Sequence, residues 1–275
     1  MKNRMQLVLA SVLVVGLVGN ASADVAINST SDSYTQDFNS LPTQDAGTFT
    51  WTDNSTLNGW YRRANVNNSD QTPDPDLVDY AVKGANVGAP GFYNVSTAGS
   101  NDRAVGFRIN GDPNGLKKGS VGLIFDNNTG TTLTGFDVAY QGEQWYQSFN
   151  ETTLVYQWRV VDSFADINND IDRAQAGWSA EGSPLAWYVG AGTANAWMNG
   201  KVNSTNISGS VTGMSLAPGQ KLIMRWRIAL TGVNQAGLMI DDVVVDNWVA
   251  IPEPATFGLL MVFGISAIFI RRLMQ

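Results

Sequence analysis

Lys221-Leu222-Ile223-Met224-Arg225-Trp226-Arg227-Ile228-Ala229-Leu230 is the stretch that decides the fold class. In an extended strand, successive side chains point to opposite faces. Leu222, Met224, Trp226 and Ile228 therefore share one face, and Lys221, Arg225 and Arg227 fall on the other. That is a period of two, the mark of a strand and not of a helix. The residues before it, Leu216-Ala217-Pro218-Gly219-Gln220, set Pro ahead of Gly and read as a turn.

Working outward, the same pattern recurs. Val121-Gly122-Leu123-Ile124-Phe125, Leu133 to Tyr140, Leu154 to Val161, Ile207 to Val211 and Leu238 to Val245 all read as strands. Asn127 to Gly130 reads as a hairpin-type turn between the first two of these. Gln141 to Ser148, Phe164 to Trp197 and Thr72 to Asp79 read as long polar connections. No segment between residues 24 and 250 sustains a helical period. Regular strands spaced by turns predict an all-β fold, an antiparallel sandwich, in one domain over 24–250.

Composition narrows the chemistry. The chain has no histidine and no cysteine among 275 residues. Ser-His-Asp and Cys-His catalysis are thereby excluded, as are disulfides. The formal net charge of -7 opposes binding to nucleic acid, where phosphate contacts dominate affinity. It favours divalent cations instead.

The two ends are unlike the middle. Lys2 and Arg4 precede an apolar run from Leu7 to Val18, and Ala21-Ser22-Ala23 follows with the small-x-small pattern of a signal-peptidase site. Residues 1–23 are read as a signal peptide, removed by signal peptidase after Ala23. At the other end, Pro252 and Pro254 fix φ and remove two backbone donors, so a helix must begin after them. Ala255 to Ile270 is apolar throughout, and as a helix it reaches roughly 24 Å against a hydrocarbon core of about 30 Å. Arg271 and Arg272 close it on the cytoplasmic side by the positive-inside rule. A single transmembrane helix over 255–270 would leave residues 24–250 outside the inner membrane.

Pro252-Glu253-Pro254-Ala255-Thr256, the apolar helix and Arg271-Arg272 together resemble the PEP-CTERM sorting signal of Gram-negative bacteria, here spanning 251–275. The resemblance implies recognition by an exosortase, processing near Pro252-Glu253-Pro254, and a link to exopolysaccharide and biofilm at the cell surface or in the extracellular matrix. A second resemblance covers most of 34–248. Tyr34 to Leu41, with Asp37-Phe38, and Gly237 to Val243, with Asp241-Asp242-Val243, are similar to the first and last strands of jelly-roll carbohydrate-binding modules and related adhesion domains. Gly142 to Trp145 and Leu216 to Gln220 resemble the domain found in many PEP-CTERM proteins.

Four groups of residues are candidates for chemistry. Asp37, Asp241 and Asp242 form the first; in the resembled jelly rolls they imply a structural calcium site. Strand alternation puts one of Asp241 and Asp242 inward, and a buried carboxylate needs a cation, an arginine such as Arg103 or Arg108, or several donors. The second is Asp166 to Asp172, whose alternating oxygens suit calcium but which carries Ile171 where a calcium loop needs Gly. Gly177 also stands at position 12 where such a loop needs Glu, so the segment reads better as a solvated acidic loop. The third is Trp178, Trp187 and Trp197, placed in loop-like sequence and able either to stack on sugar rings or to plug under loops. The fourth is Glu143, which a glycosidase would need opposite a second carboxylate. The leading expectation is an exported, non-enzymatic surface protein sorted by exosortase. The alternatives are a carbohydrate-binding module using loop tryptophans and a carboxylate-based glycoside hydrolase.

Overall fold

A computed structural model describes residues 24–42, 46–65, 79–83, 88–110, 116–164, 177–180, 184–229 and 234–251. The signal-peptide residues with Ala21 and Ala23, the tail from Pro252 through Glu253, Pro254, Arg271 and Arg272, and the acidic loop Asp166–Asp172 lie outside these residues. Among the described residues no helix is long and apolar enough to cross a membrane.

The strands form two sheets. The first contains β1 (Val25–Ile27), β4 (Trp60–Asn65), β8 (Lys118–Asn127), β10 (Thr152–Val161), β11 (Trp187–Val189) and β14 (Lys221–Ala229). Its order is β1-β8-β14-β10-β11, with β4 also on β8. The second contains β2 (Tyr34–Gln36), β3 (Ala46–Thr48), β5 (Asp79–Lys83), β6 (Gly91–Ser96), β7 (Ala104–Arg108), β9 (Leu133–Gln147), β12 (Ala196–Trp197), β13 (Ser204–Leu216) and β15 (Gly237–Ala250). Its order is β12-β9-β15-β7-β6-β5-β3, with β13 on β9 and β2 on β15. The expected all-β sandwich is present. It is not wholly antiparallel, because β1 runs parallel to β8 and β5 parallel to β6.

The alternation of β14 fixes the packing. Leu222, Met224, Trp226 and Ile228 join Tyr140, Phe136, Val243 and Val245 of the second sheet in the main core. Trp226 is its centre: its ring stacks on Trp60 at 5.8 Å and meets Tyr140 and Tyr156 edge-on at 5.6 and 5.5 Å. Aromatic pairs at such distances gain beyond the area they bury.

The opposite face of β14 is covered as well. Ile223 packs with Tyr61, Ile124, Val161 and Trp178 in a second apolar layer, and Arg225 is fully buried there. Its guanidinium lies 3.8 Å from the Trp178 ring centroid, and its Nε and Nη2 donate to Gln157 Oε1 at 3.1 and 2.5 Å. The outer face of the second sheet carries a third layer of Tyr93, Val95, Ala104, Trp145 and Met239. Sheets buried on both faces explain why β6, β7 and most of β8 are buried at every position.

Two expectations about connections are corrected. Asn127 to Gly130 does not close a hairpin, because β8 and β9 belong to different sheets. The turn arches between the layers and is held by buried Asn127, whose Nδ2 donates to Thr131 O and Leu216 O, both at 2.8 Å. Gln141 to Gln147 is not a loop but the second half of β9. Glu143, within that stretch, is buried and faces Lys201, a partner far away in sequence.

Candidate functional site

The turn at Ser148–Glu151 carries the chain from β9 in the second sheet to β10 in the first. A second crossing runs beside it, because β11 pairs with Thr152–Leu154 at the start of β10 and β12 pairs with Tyr146 and Gln147 at the end of β9. The two crossings are tied by Gly192 N donating to Ser148 O at 2.6 Å. Asn150 Nδ2 donates to Asn234 O at 3.2 Å and ties the turn to the segment entering β15.

This end of the molecule exposes aromatic side chains. Among the described residues, the large aromatics exposed beyond a third of their surface are Phe149, Tyr188 and Trp197. Phe149 is at the β9–β10 turn, Tyr188 is opposite Thr153 on β10, and Trp197 is opposite Tyr146 on β9. Glu151 lies beside Tyr188, and its carboxylate accepts from the phenol and pushes the phenol's pKa up.

The three tryptophans expected to act together are separated. Trp178 lies under Arg225 on the outside of the first sheet. Trp187 belongs to the main core, where Gly142 leaves room for its ring; a β-carbon on Gly142 would stand 2.6 Å from its Cε3. Only Trp197 is exposed. Sequence reasoning missed Tyr188 and Phe149. Tyr188 follows from alternation only once Trp187–Val189 is known to be a strand with Trp187 in the core.

The three aspartates are also divided. β2 pairs with β15 through Gln36 and Val243, so the first and last strands are adjacent, and Asp37 and Asp242 line one shallow surface groove with Thr35 and Val244. Asp242 has φ 48° at a break in the β15–β9 register and is exposed. Asp241 is fully buried and turns to the outer face of the sheet, and it is not among the residues lining that groove. Its partner is neither Arg103 nor Arg108 but Lys201, whose Nζ donates to Asp241 Oδ2 at 2.6 Å. The same ammonium stands 2.7 Å from Glu143 Oε1 and 2.8 Å from Asp102 Oδ2. Among the described residues no three acidic side chains are arranged to hold a metal ion. Asp37, Asp241 and Asp242 therefore do not fit one calcium ion as a set.

Glu143, the hydrolase candidate, is fully buried on β9. Its Oε2 accepts from Trp145 Nε1 at 2.7 Å, and its other oxygen faces Lys201. A glycosidase carboxylate must reach the scissile bond in an open cleft, and Glu143 does not. Burial raises its pKa, with Lys201 opposing. Burial likewise raises Asp241, to about 8, again against Lys201. Burial pulls the Lys201 ammonium down, but its three carboxylate partners together leave it raised.

The turn that delivers Lys201 is built for the purpose. Asn199 O accepts from Val202 N and Asn203 N, and Asn199 Oδ1 accepts from Lys201 N at 3.1 Å. Met198 N donates to Trp145 O, and Gln144 N to Asn203 O, which pins the turn on β9.

No protein-family model matches the chain, and no curated protein matches it. Solved structures with a related arrangement include the K1 cleaved adhesin domain of Lys-gingipain from Porphyromonas gingivalis W83. It is 12% identical over 78% of this chain and 98% of that one, with a TM-score of 0.33. The K2 cleaved adhesin domain of Lys-gingipain is 14% identical over 78% and 97%, with a TM-score of 0.37. The TmCBM61 module solved with β-1,4-galactotriose is 12% identical over 54% and 72%, with a TM-score of 0.24. Likenesses this distant carry no functional argument, and the fold rests on the strand pairing described above.

Proposed function

We propose that the domain binds carbohydrate at the β9–β10 end, through Phe149, Tyr188 and Trp197, as part of an exported surface protein. The observation that carries this reading is the exposure of these three aromatics around one pair of crossings, in a molecule whose other tryptophans are largely buried. Aromatic faces left in water favour flat apolar partners with polar rims, which is the character of a sugar ring. Glu151, beside Tyr188, supplies an acceptor for sugar hydroxyls. In this reading the three residues act by binding and not by catalysis.

The test is isothermal titration against a panel of soluble polysaccharides, with F149A, Y188A and W197A prepared singly and together. Binding that disappears in the triple variant while its melting temperature is kept supports the proposal. Equal binding by the triple variant, or none by the parent across the panel, overturns it.

Export and sorting complete the reading, and their support is the sequence at the two ends. Signal peptidase acts after Ala23, and exosortase acts at Pro252-Glu253-Pro254 with the helix 255–270 held in the membrane. Replacing the three motif residues with alanine should leave the tail attached and the protein in the inner membrane. Normal release of that variant would refute the sorting step.

A further inference from the structure

We propose that Lys201 and Asp241 condense to an intramolecular amide bond, with Glu143 as the proton carrier, so that the domain is closed by a covalent cross-link on either side of β9. This is independent of carbohydrate binding, which uses other residues at the β9–β10 end.

Three features support it. The first is contact: Lys201 Nζ lies 2.6 Å from Asp241 Oδ2 and 2.7 Å from Glu143 Oε1, so a nucleophile, an acyl group and a base meet at one point. The second is confinement. Asp241 and Glu143 are fully buried, while the Lys201 side chain keeps 20% exposure, which leaves a path for water to depart. The Asn199–Asn203 turn and the indole of Trp145 fix the lysine and the base. Held geometry of this kind replaces a bimolecular encounter.

The third is charge. One ammonium faces two buried carboxyls, with exposed Asp102 beside them. Ionised together they would leave a net negative charge out of water, which is costly. Burial raises the pKa of both Asp241 and Glu143, and a proton held on Asp241 relieves that cost.

The bonds balance without any outside reagent. Glu143 takes a proton from the Lys201 ammonium. The freed Nζ lone pair forms a bond to Cγ of the protonated Asp241. The Cγ–hydroxyl bond then breaks, Glu143 returns its proton to that hydroxyl, and one water leaves. A second proton passes from nitrogen to Glu143. The products are a neutral secondary amide, a neutral Glu143 carboxylic acid and water, so no charge remains among the three groups. In an exported chain without cysteine, the bond would close the segment from 201 to 241 much as a disulfide constrains the unfolded chain.

The experiment is mass spectrometry of the full chain after folding, intact and after trypsin. The expected result is a mass lower than the sequence by one water, no cleavage after Lys201, and a branched peptide joining the Lys201 and Asp241 segments. K201R, which keeps the positive charge, should show the full mass. E143Q should fold, by circular dichroism and melting temperature, and should also keep the water. Folded parent protein with the full mass and a free Lys201 peptide overturns the cross-link. A cross-link that forms in folded E143Q at the parental rate overturns the role given to Glu143.

Discussion

Gly200 lies against the buried indole of Trp145 so closely that a β-carbon on Gly200 would overlap its Nε1. The absence of a side chain at one position thus lets the turn settle on β9 and lower Lys201 onto Glu143 and Asp241. G200A should force the turn off Trp145, since the ring is enclosed and cannot swing away. Overpacking of this kind costs about 1–3 kcal/mol. Denaturant unfolding of G200A measures it, and an unchanged midpoint would show that the turn moves freely.

Trp187 and Tyr188 are neighbours in β11 with opposite fates, one in the core and one 57% exposed. W187A should lose about 3–5 kcal/mol, the usual cost of emptying a core aromatic site. Y188A should leave stability within about 0.5 kcal/mol, as surface changes do. Thermal melts of the two variants check this, and equal losses would contradict the strand's alternation.

The contrast shows what the sequence could and could not disclose. Strands such as β14 were legible because Leu222, Met224, Trp226 and Ile228 repeat every second residue. The same rule would have split Trp187 from Tyr188, had the segment 187–189 been seen as a strand; three residues are too few to show a period. The covering of the outer faces was not legible, because Arg225 looks like a solvent residue until Trp178 is laid over it. Nor was the partner of Asp241 legible. Lys201 is 40 residues away in sequence, in a turn whose Asn and Gly signal only a turn. The arch at Asn127 looked like a hairpin because local turn chemistry is the same whether the next strand joins the same sheet or the other.

Asp79 offers a pH test. It is nearly buried, accepts from Trp51 N at 3.0 Å and pairs with Arg62, whose Nε lies 2.7 Å from Oδ1. Burial raises its pKa above the ordinary 3.8, with Arg62 opposing. The folded chain therefore keeps a proton that the unfolded chain has already lost. The stability from this group is complete below 3.8 and declines as pH climbs through the raised folded value. D79N removes that decline, so its stability should improve relative to the parent as pH rises from 3.8. Urea midpoints of both proteins across that range decide it. If D79N instead loses ground with rising pH, the Arg62 pairing outweighs burial.

Arg225 shows how a charge can serve inside the sheet. Its guanidinium is flat, so it stacks on Trp178 while its edge donates twice to Gln157. A lysine has neither the plane nor the paired donors. R225A should therefore lose about 1–3 kcal/mol, because it leaves the neutral Gln157 Oε1 unpaired and strips Trp178 of its cover. R225K should recover only part of that, despite keeping the charge. Trp178 supplies a local readout: its emission should shift to the red in R225A as water reaches the ring, and less so in R225K. If R225K matches the parent in both stability and emission, then charge alone holds this layer together and the stacking contributes nothing.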